Sequence, residues 1–166
     1  ISQADNWNVR KNGFVMSGVS SGAHLALLYS YTTDKKIKAI TEFCGPVDFT
    51  SKEILGYVEQ VGLKDVLVKM TGKDYDMNKD IDPEFLSASP VRFIKPIPML
   101  IVHGTDDKVV PFIQAQILVK ALEEKKVKNK FIPIQGADHD LNLKDSSTRK
   151  LVYSEVVNWV KQYGQK

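Results

Sequence analysis

Short apolar runs alternate along this chain with longer stretches in which apolar residues recur at helical spacing. The short runs predict strands at 14–17, 37–44, 99–103 and 130–134. Helical spacing predicts helices at about 21–31, 51–61, 63–70, 112–125 and 146–163, the last one capped by Ser146 or Ser147. Strands that alternate with helices predict an α/β fold, in which a mostly parallel sheet of about four strands is flanked by helices.

Composition narrows the classes of function. With 166 residues, of which 43% are hydrophobic and 26% charged, the chain is predicted to form a single globular domain over 1–166. A net charge of +3 without a basic stripe argues against nucleic-acid binding. The longest apolar run, 97–102, is too short to span a membrane. Nothing in the composition assigns a cellular compartment.

Metal-binding patterns are weak in this sequence. The chain has one cysteine, Cys44, so no intramolecular disulfide can form and no cluster of Cys and His exists. The acidic stretch 73–84 resembles a calcium loop, but it lacks the central glycine and the closing glutamate at the required spacing. We therefore predict no metal and no cofactor, and we interpret 73–84 as a solvated loop.

The stretch Gly18-Val19-Ser20-Ser21-Gly22 joins the first predicted strand to the first predicted helix. A G-x-S-x-G sequence at such a junction is the pattern of a nucleophile elbow, a tight turn that exposes its central serine. Small residues at 18 and 22 leave room for the close approach of strand and helix. Free N–H groups at the helix N-terminus would stabilise negative charge on a substrate oxygen. The pattern alone also fits a Gly/Ser turn that caps a helix.

Two more polar segments follow predicted strands, at the sheet edge where parallel sheets bind ligands. Residues 103–111 offer two adjacent carboxylates, Asp106 and Asp107, and the spacing does not decide between them. Residues 135–140 follow the fourth strand and contain His139. A histidine there would accept the proton of a serine nucleophile while a carboxylate fixes its tautomer.

The base is assigned by elimination among the three histidines of the chain. His24 lies one helical turn past Ser20, and we expect its side chain to point away from the site. His103 precedes both candidate acids, and we expect it to brace their loop. His139 alone follows both the aspartate loop and a further strand, so we predict that it is the base.

Three motifs together resemble the esterase/lipase type of α/β-hydrolase. Segment 18–28 is similar to the elbow of these enzymes, 103–111 to their acid loop H-G-x-x-D-x-x-V-P, and 136–140 to their histidine loop. The order Ser, Asp, His is that of the family, and the similarity extends over about 7–163. The resemblance implies a triad with Asp107, rather than Asp106, as the acid. Carboxylesterases with feruloyl-esterase-like and kynurenine-formamidase-like members are the most similar type, and prolyl-peptidase catalytic domains share similar motifs.

The chain departs from this family in one respect. The second oxyanion donor of the family comes from a loop after an earlier strand, often H-G-G-G, and no such stretch is present. The resemblance therefore implies a partial fold, the C-terminal part of the domain, without about three or four N-terminal strands and with the Ser21 N–H as one oxyanion donor. The first strand would then be a bare edge through which copies pair as a homo-oligomer. Segment 47–96 is expected to form a small cap.

The expected function is that of a serine hydrolase. Ser20, His139 and Asp107 would cleave a small-molecule carboxylic ester through an acyl-enzyme intermediate, without cofactor or metal. Two alternatives stay open at this point. One is a peptidase or amidase of the same fold, and the other is a hydrolase-fold scaffold that binds without catalysis.

Overall fold

Four parallel strands form one sheet, in which they lie side by side in chain order. The computed structural model describes residues 3–8 and 12–164, so the predicted domain 1–166 extends beyond it at both ends. The strands are β1 (Phe14–Val19), β2 (Ile37–Phe43), β3 (Met99–Gly104) and β4 (Asn129–Ile134). The predicted α/β fold with a four-stranded parallel sheet is confirmed.

Six α-helices and two shorter helical turns accompany the sheet in the described part of the chain. The helices are α1 (Ser21–Thr32), α2 (Lys52–Gln60), α3 (Lys64–Thr71), α4 (Pro83–Ser87), α5 (Ile113–Glu124) and α6 (Ser146–Trp159). A 3₁₀ turn covers Pro90–Phe93, and a π-type turn, Val160–Gly164, follows α6. None of the described helices is both long and apolar enough to cross a membrane.

The two faces of the sheet are covered by different helices. On one face, residues of β2 and β3 pack with side chains of α1 and α5, in a cluster that includes Ile40, Met99, Ile101, Leu27 and Leu118. On the other face, the alternate strand positions pack against α6, in a cluster that includes Ala39, Leu100, Val102, Val152 and Trp159. Side chains alternate across a strand, so β3 is buried on both faces and β2 largely so, although β2 also contains Lys38, Thr41 and Glu42.

The strand β1 lies at one edge of the sheet and is only partly buried along its length. It pairs with β2 alone among the described strands. The position of β1 agrees with the sequence-based expectation of an edge strand. Pairing of copies through this edge stays a prediction.

The segment between β2 and β3 has a hydrophobic cluster of its own. Phe85 is fully buried among side chains of α2, α3, α4 and the connecting loops. The other buried members of this cluster are Phe49, Ile54, Leu55, Leu67, Tyr75 and Ala88. This cluster is separate from the two clusters that flank the sheet. A cap over 47–96 stays an interpretation, and the cluster gives its physical basis.

The predicted cap of the last helix is wrong, although the helix begins at Ser146 as expected. The side chain of Asp145, rather than Ser146 or Ser147, caps α6, because its Oδ2 accepts a hydrogen bond of 2.7 Å from the Thr148 N–H. Asp and Ser are both favoured at this position. The hydroxyl of Ser147 instead donates to the same aspartate carboxylate. Sequence composition could not separate these neighbouring cap residues, because each has a side-chain oxygen.

Candidate active site

Ser20 occupies the turn between β1 and α1 in a backbone conformation that is unusual for a residue with a side chain. Its φ is 54° and its ψ is −125°. Hydrogen bonds fix this turn on both sides: the Ser20 N–H donates to the Phe43 carbonyl at 2.8 Å, and the Ser20 carbonyl accepts from the N–H groups of Ala23 and His24. A positive φ at a non-glycine residue costs about 1–3 kcal/mol and persists only where the surroundings enforce it.

The two glycines of the elbow are not equivalent. A Cβ on Gly18 would clash with the backbone of Gly22 and Ala23, whereas a Cβ on Gly22 would meet nothing within 4 Å among the described residues. The expectation that both positions must be small therefore holds for Gly18 alone in this part of the chain. Strand and helix approach most closely at Gly18, two residues before the serine.

Gly18→Ala is expected to destabilise the protein by about 3 kcal/mol, since the added methyl group meets backbone atoms that cannot rotate away. Gly22→Ala is the matched control, because its methyl group has free space and alanine favours the helix. Urea unfolding of both variants measures the difference. Equal stability of the two variants would contradict this account of the elbow.

Asp107 lies in the loop after β3 with a side chain that is inaccessible to solvent. Its Oδ1 accepts hydrogen bonds from the Val109 and Val110 N–H groups at 2.8 and 2.9 Å, and its Oδ2 accepts one from His139 Nδ1 at 2.8 Å. Burial alone would raise the pKa of Asp107, but the hydrogen bonds from His103, His139 and the two N–H groups lower it well below its usual range. The carboxylate is therefore ionised at neutral pH.

His139 lies in the loop after β4 and contacts Asp107, not Asp106. The Asp106 carboxylate instead accepts a hydrogen bond from the neighbouring Thr105 hydroxyl at 3.0 Å. Because His139 Nδ1 donates to Asp107, the opposite ring nitrogen, Nε2, is left as the basic atom of the neutral imidazole. This is the tautomer that a general base for a serine hydroxyl requires.

The acid and histidine loops are joined to each other beside this contact. Asp138 Oδ1 accepts from the Lys108 N–H at 2.9 Å and from the His139 N–H at 2.7 Å, which lowers the pKa of Asp138. Gly104 packs so closely that a Cβ there would clash with the backbone of Ala137 and Asp138. The two loops therefore hold the His139–Asp107 pair as one unit.

His103 braces the acid loop, as its place in the sequence suggested. It is fully buried, and its Nε2–H donates to the Val110 carbonyl at 2.9 Å while lying 3.4 Å from Asp107 Oδ2. Burial opposes a charge on His103, but the contacts with Asp107, Val110 and Glu42 raise its pKa. His103 thus supports the side of the Asp107 carboxylate that also faces His139.

His24 differs from its sequence-based expectation. Instead of pointing away from the site, it is buried and lines the same cavity as Ser20. Its Nδ1–H donates to the Pro46 carbonyl at 3.0 Å, and burial lowers its pKa. His24 is therefore a neutral wall of the cavity. The sequence could not reveal this, because the loop after β2 that folds over α1 is not periodic.

Two buried polar residues of the site were missed in the sequence. Gln114 on α5 accepts from the N–H groups of Val47 and Asp48 and donates to the Asp48 carbonyl, all at 2.8–2.9 Å. Glu42 on β2 is fully buried and accepts from the Gly45 N–H. A single acid in a mostly apolar strand was the available signal for Glu42. Both residues fix the loop that leads from β2 past Ser20.

Burial raises the pKa of Glu42 to about 7, against the lowering effects of the Gly45 N–H and of His103. The folded protein therefore retains a proton that the unfolded chain loses above a pH of about 4.5. The free energy of unfolding should fall by about 3 kcal/mol as the pH rises from about 4.5 to about 7. The loss should be complete once the pH exceeds the pKa of Glu42 in the folded protein.

Glu42→Gln is expected to flatten this dependence, because the amide does not ionise and its oxygen can still accept from Gly45. Urea unfolding at pH 5 and pH 8 measures the slope, with the exposed Glu53→Gln as the control. The explanation fails if the Glu42 variant retains the slope of the unmodified protein.

A cavity of about 290 Å³ begins at Ser20 and Ser21 and runs beneath α2 and α3. Its walls are mostly apolar side chains of these two helices, together with Val109 and Val110 of the acid loop. Neither His139 nor Asp107 lines it. It lies against the acid loop through Val109, Val110 and Pro111, which closely follow Asp107 in the chain.

Of the predicted catalytic side chains, the structure brings Asp107 and His139 into contact. Ser20 and Ser21 line the cavity, and among the described residues no hydrogen bond joins the Ser20 hydroxyl to His139. Hydrogen bonds of this kind are often formed only when substrate is bound. The coupling of Ser20 to the pair therefore belongs to the proposal below.

One group of three metal-ligating side chains is found among the described residues, and it is Cys44, His103 and Asp107. Their ligand atoms lie within 4.8 Å of one another. Burial raises the pKa of the Cys44 thiol far above its usual range, and the His103 and Asp107 atoms are engaged in the hydrogen bonds described above. A protonated thiol is a poor ligand, so this donor set fits hydrogen bonding better than a metal ion. That the chain uses no metal stays a prediction.

The fold and the elbow define a protein of the α/β-hydrolase class, and solved structures agree. A truncated carbohydrate esterase from gut microbiota has a TM-score of 0.72 and 20% identity, over 96% of this chain and 64% of that one. The Pyrococcus horikoshii acylaminoacyl peptidase has a TM-score of 0.74 and 12% identity, over 99% of this chain and 26% of that one. A butyrate-bound esterase, Est2 of Thermogutta terrifontis, has a TM-score of 0.64 and 22% identity, over 99% of this chain and 63% of that one.

The family is shown by sequence. The BD-FAE family model matches residues 1–122, and the chain belongs to this esterase-type α/β-hydrolase family. A non-reducing polyketide synthase, Preu6 of Preussia isomera, is 40% identical over 53 residues, which are 31% of this chain and 2% of that protein. The chain spans less than two thirds of the length of each of these relatives.

Proposed function

We propose that this chain carries the catalytic residues of a serine hydrolase that cleaves small-molecule carboxylic esters. The observation that carries the proposal is the His139 Nδ1–Asp107 Oδ2 hydrogen bond of 2.8 Å, at the same sheet edge as the strained turn of Ser20. A buried, ionised aspartate on a histidine, at the sheet edge that also carries a serine elbow, is the arrangement that activates a hydroxyl for attack on a carbonyl. Membership of an esterase-type family favours esters over amides.

In the proposed reaction, His139 Nε2 takes the proton of Ser20 as the serine oxygen attacks the ester carbonyl. The Ser21 N–H, among the free donors of the first turn of α1, holds the oxyanion. His139 then protonates the departing alcohol, and Asp107 stabilises the imidazolium in both steps. Water attacks the acyl-enzyme by the same route and releases the acid. No cofactor takes part in these steps.

The oxyanion needs a second donor in most enzymes of this type, and losing one donor costs about 10²–10³ in kcat. We propose that this donor lies outside the segment given by this chain. The chain spans less than two thirds of the length of the two esterases named above, which supports this proposal. Activity of the chain by itself is then expected to be reduced but measurable, because the nucleophile, base and acid are all present.

Hydrolysis of p-nitrophenyl acetate against the matching p-nitroanilide tests the proposal. We expect release of p-nitrophenol above the background rate and no detectable release of p-nitroaniline. Faster cleavage of the anilide would favour the amidase alternative. If neither compound is cleaved, even at high enzyme concentration, the binding-scaffold alternative replaces the proposed function for this chain.

A further inference from the structure

Two histidine side chains approach the same oxygen of the Asp107 carboxylate. His139 Nδ1 lies 2.8 Å from Asp107 Oδ2, and His103 Nε2 lies 3.4 Å from the same atom. A carboxylate oxygen has two lone pairs, so it can accept a hydrogen bond from each ring. The other oxygen, Oδ1, accepts from the backbone N–H groups of Val109 and Val110. Oδ2 is therefore the atom through which the two histidines influence each other.

The position of the proton on His103 follows from the neighbours of its ring. Nε2 faces two acceptors, the Val110 carbonyl at 2.9 Å and Asp107 Oδ2 at 3.4 Å, so it must carry the hydrogen. One N–H shared between two acceptors is a three-centre hydrogen bond. The opposite nitrogen, Nδ1, is buried and has no hydrogen-bond partner among the described residues. His103 thus presents a donor to Asp107 whether or not the ring is charged.

The His103 ring is held in one orientation by its surroundings. It is fully buried near the end of β3. The ring of Phe112, directly before α5, meets it edge-on with the ring centroids 6.0 Å apart. Phe112 in turn stacks on Phe131 of β4, with centroids 5.8 Å apart. A donor on a fixed ring loses little conformational freedom when it binds, so it can hold an acceptor in place.

The titratable groups that face His103 come from its own loop and from β2. The Cys44 sulfur, directly after β2, lies within 4.8 Å of ligand atoms of His103 and Asp107, and the charge of Glu42 also acts on His103. Burial raises the pKa of both Cys44 and Glu42. Burial also has the largest effect on the pKa of Asp107, which it raises. Among the contacts that lower the pKa of Asp107, that of His103 comes before that of His139.

The titratable groups on the other sides of the His139–Asp107 pair contact backbone atoms. Asp138 of the histidine loop accepts from the backbone N–H groups of Lys108 and His139. The Tyr57 hydroxyl of α2 donates to the backbone carbonyl of Asp107 at 3.5 Å. These contacts place the two loops, whereas His103 and His139 act on the carboxylate of Asp107 itself.

We propose that His103 is a positioning residue for the reaction of Ser20. By donating to Asp107 Oδ2, it holds the carboxylate in the orientation that His139 requires and limits the negative charge that stabilises the His139 imidazolium. The inference rests on the proposed function, because it gives His103 a part in that reaction. It goes beyond bracing of the acid loop, because it predicts that this hydrogen bond sets the pH at which His139 takes up a proton.

The first test follows His139 by NMR in the unmodified chain, His103→Met and His103→Gln. Methionine has no donor, whereas the amide nitrogen of glutamine can take the place of Nε2 and stays uncharged. The midpoint of the pH titration of the His139 Hε1 resonance should rise by about one pH unit in His103→Met and stay within about 0.3 unit in His103→Gln. The chain has three histidines, so loss of one resonance in His139→Gln assigns it.

Two outcomes of this titration would overturn the inference. One is an unchanged midpoint in His103→Met, and the other is an equal shift in both variants, since the effect would then not follow from the N–H. His103→Met also leaves the Val110 carbonyl without its donor, so lower stability is expected. His103→Asn is the second variant, because its amide is too short to reach Oδ2 but stays polar. The same rise is expected there, and its absence would contradict the inference equally.

The second test measures hydrolysis of p-nitrophenyl acetate. His103→Met should lower kcat by about 10²-fold, with KM within about threefold of the unmodified chain. The acid limb of its kcat/KM profile should move up by about one pH unit, and His103→Gln should restore most of kcat. A loss of kcat without movement of the acid limb would overturn the positioning role. If the unmodified chain cleaves no ester, the proposed function fails, while the NMR titration still decides whether His103 acts on His139.

Discussion

Ser20→Ala is expected to lower kcat for p-nitrophenyl acetate by about 10⁶-fold, the loss measured when the nucleophile of a serine hydrolase is removed. The physical reason is that no other hydroxyl is held in the strained turn at the sheet edge where His139 meets Asp107. Alanine can occupy the same backbone conformation at the same cost as serine, so stability should change little. Steady-state kinetics and urea unfolding on the same preparation measure both quantities.

Ser21→Ala is the control for this prediction. Ser21 is exposed and adjacent, and its proposed role uses the backbone N–H, which alanine retains. We expect kcat of Ser21→Ala to stay within about threefold of the unmodified chain. Loss of activity in Ser21→Ala with retention in Ser20→Ala would transfer the role of nucleophile from one serine to the other.

Asp107→Asn is expected to lower kcat by about 10⁴-fold. The asparagine oxygen can still accept from the Val109 and Val110 N–H groups, which keeps the loop in place. The amide that replaces Oδ2 is a donor, however, and it favours the His139 tautomer in which Nδ1 accepts and Nε2 carries the proton. His139 then has no lone pair with which to take the proton of Ser20.

Asp106→Asn is the matched control, because Asp106 is exposed and bonds to Thr105 instead of His139. Its kcat should stay within about threefold of that of the unmodified chain. Similar losses at the two positions would show that the loop as a whole, rather than the Asp107–His139 contact, limits activity.

The fold could be predicted from sequence because its signals are local. The buried strand β3 begins with an uninterrupted apolar run, the strand β2 is largely buried, and the helix α5 shows the helical spacing of its buried residues. The three polar loops that carry Ser20, Asp107 and His139 each follow a strand. Parallel strands end at one edge of the sheet, so this placement predicted that the three loops lie at the same edge.

The remaining features of the site depend on tertiary packing. Asp106 and Asp107 are indistinguishable by spacing, and only the path of the chain determines that Asp107 turns inward to His103 and His139. The roles of Glu42 and Gln114 arise from backbone N–H groups that the loop after β2 presents to them. The Gln114 contact joins segments far apart in the sequence, so no local sequence pattern predicts it.

The cavity could not be predicted for a related reason. The segment 47–96 has the weakest periodicity of the chain, and its short helices are held by a cluster around Phe85 rather than by the sheet. Which of their side chains face Ser20 follows from how this cluster packs. The sequence therefore predicted a small cap, but neither its uncharged inner wall nor the place of His24 in that wall.

The central claim is that Ser20 is an activated nucleophile, and covalent labelling tests it most directly. The chain is treated with a fluorophosphonate, digested with trypsin, and the peptide that covers 12–35 is fragmented to locate the adduct. We expect one phosphonyl group on Ser20, slower labelling in Asp107→Asn, and no labelling in Ser20→Ala. An unlabelled chain, or an adduct that persists in Ser20→Ala, would contradict the claim.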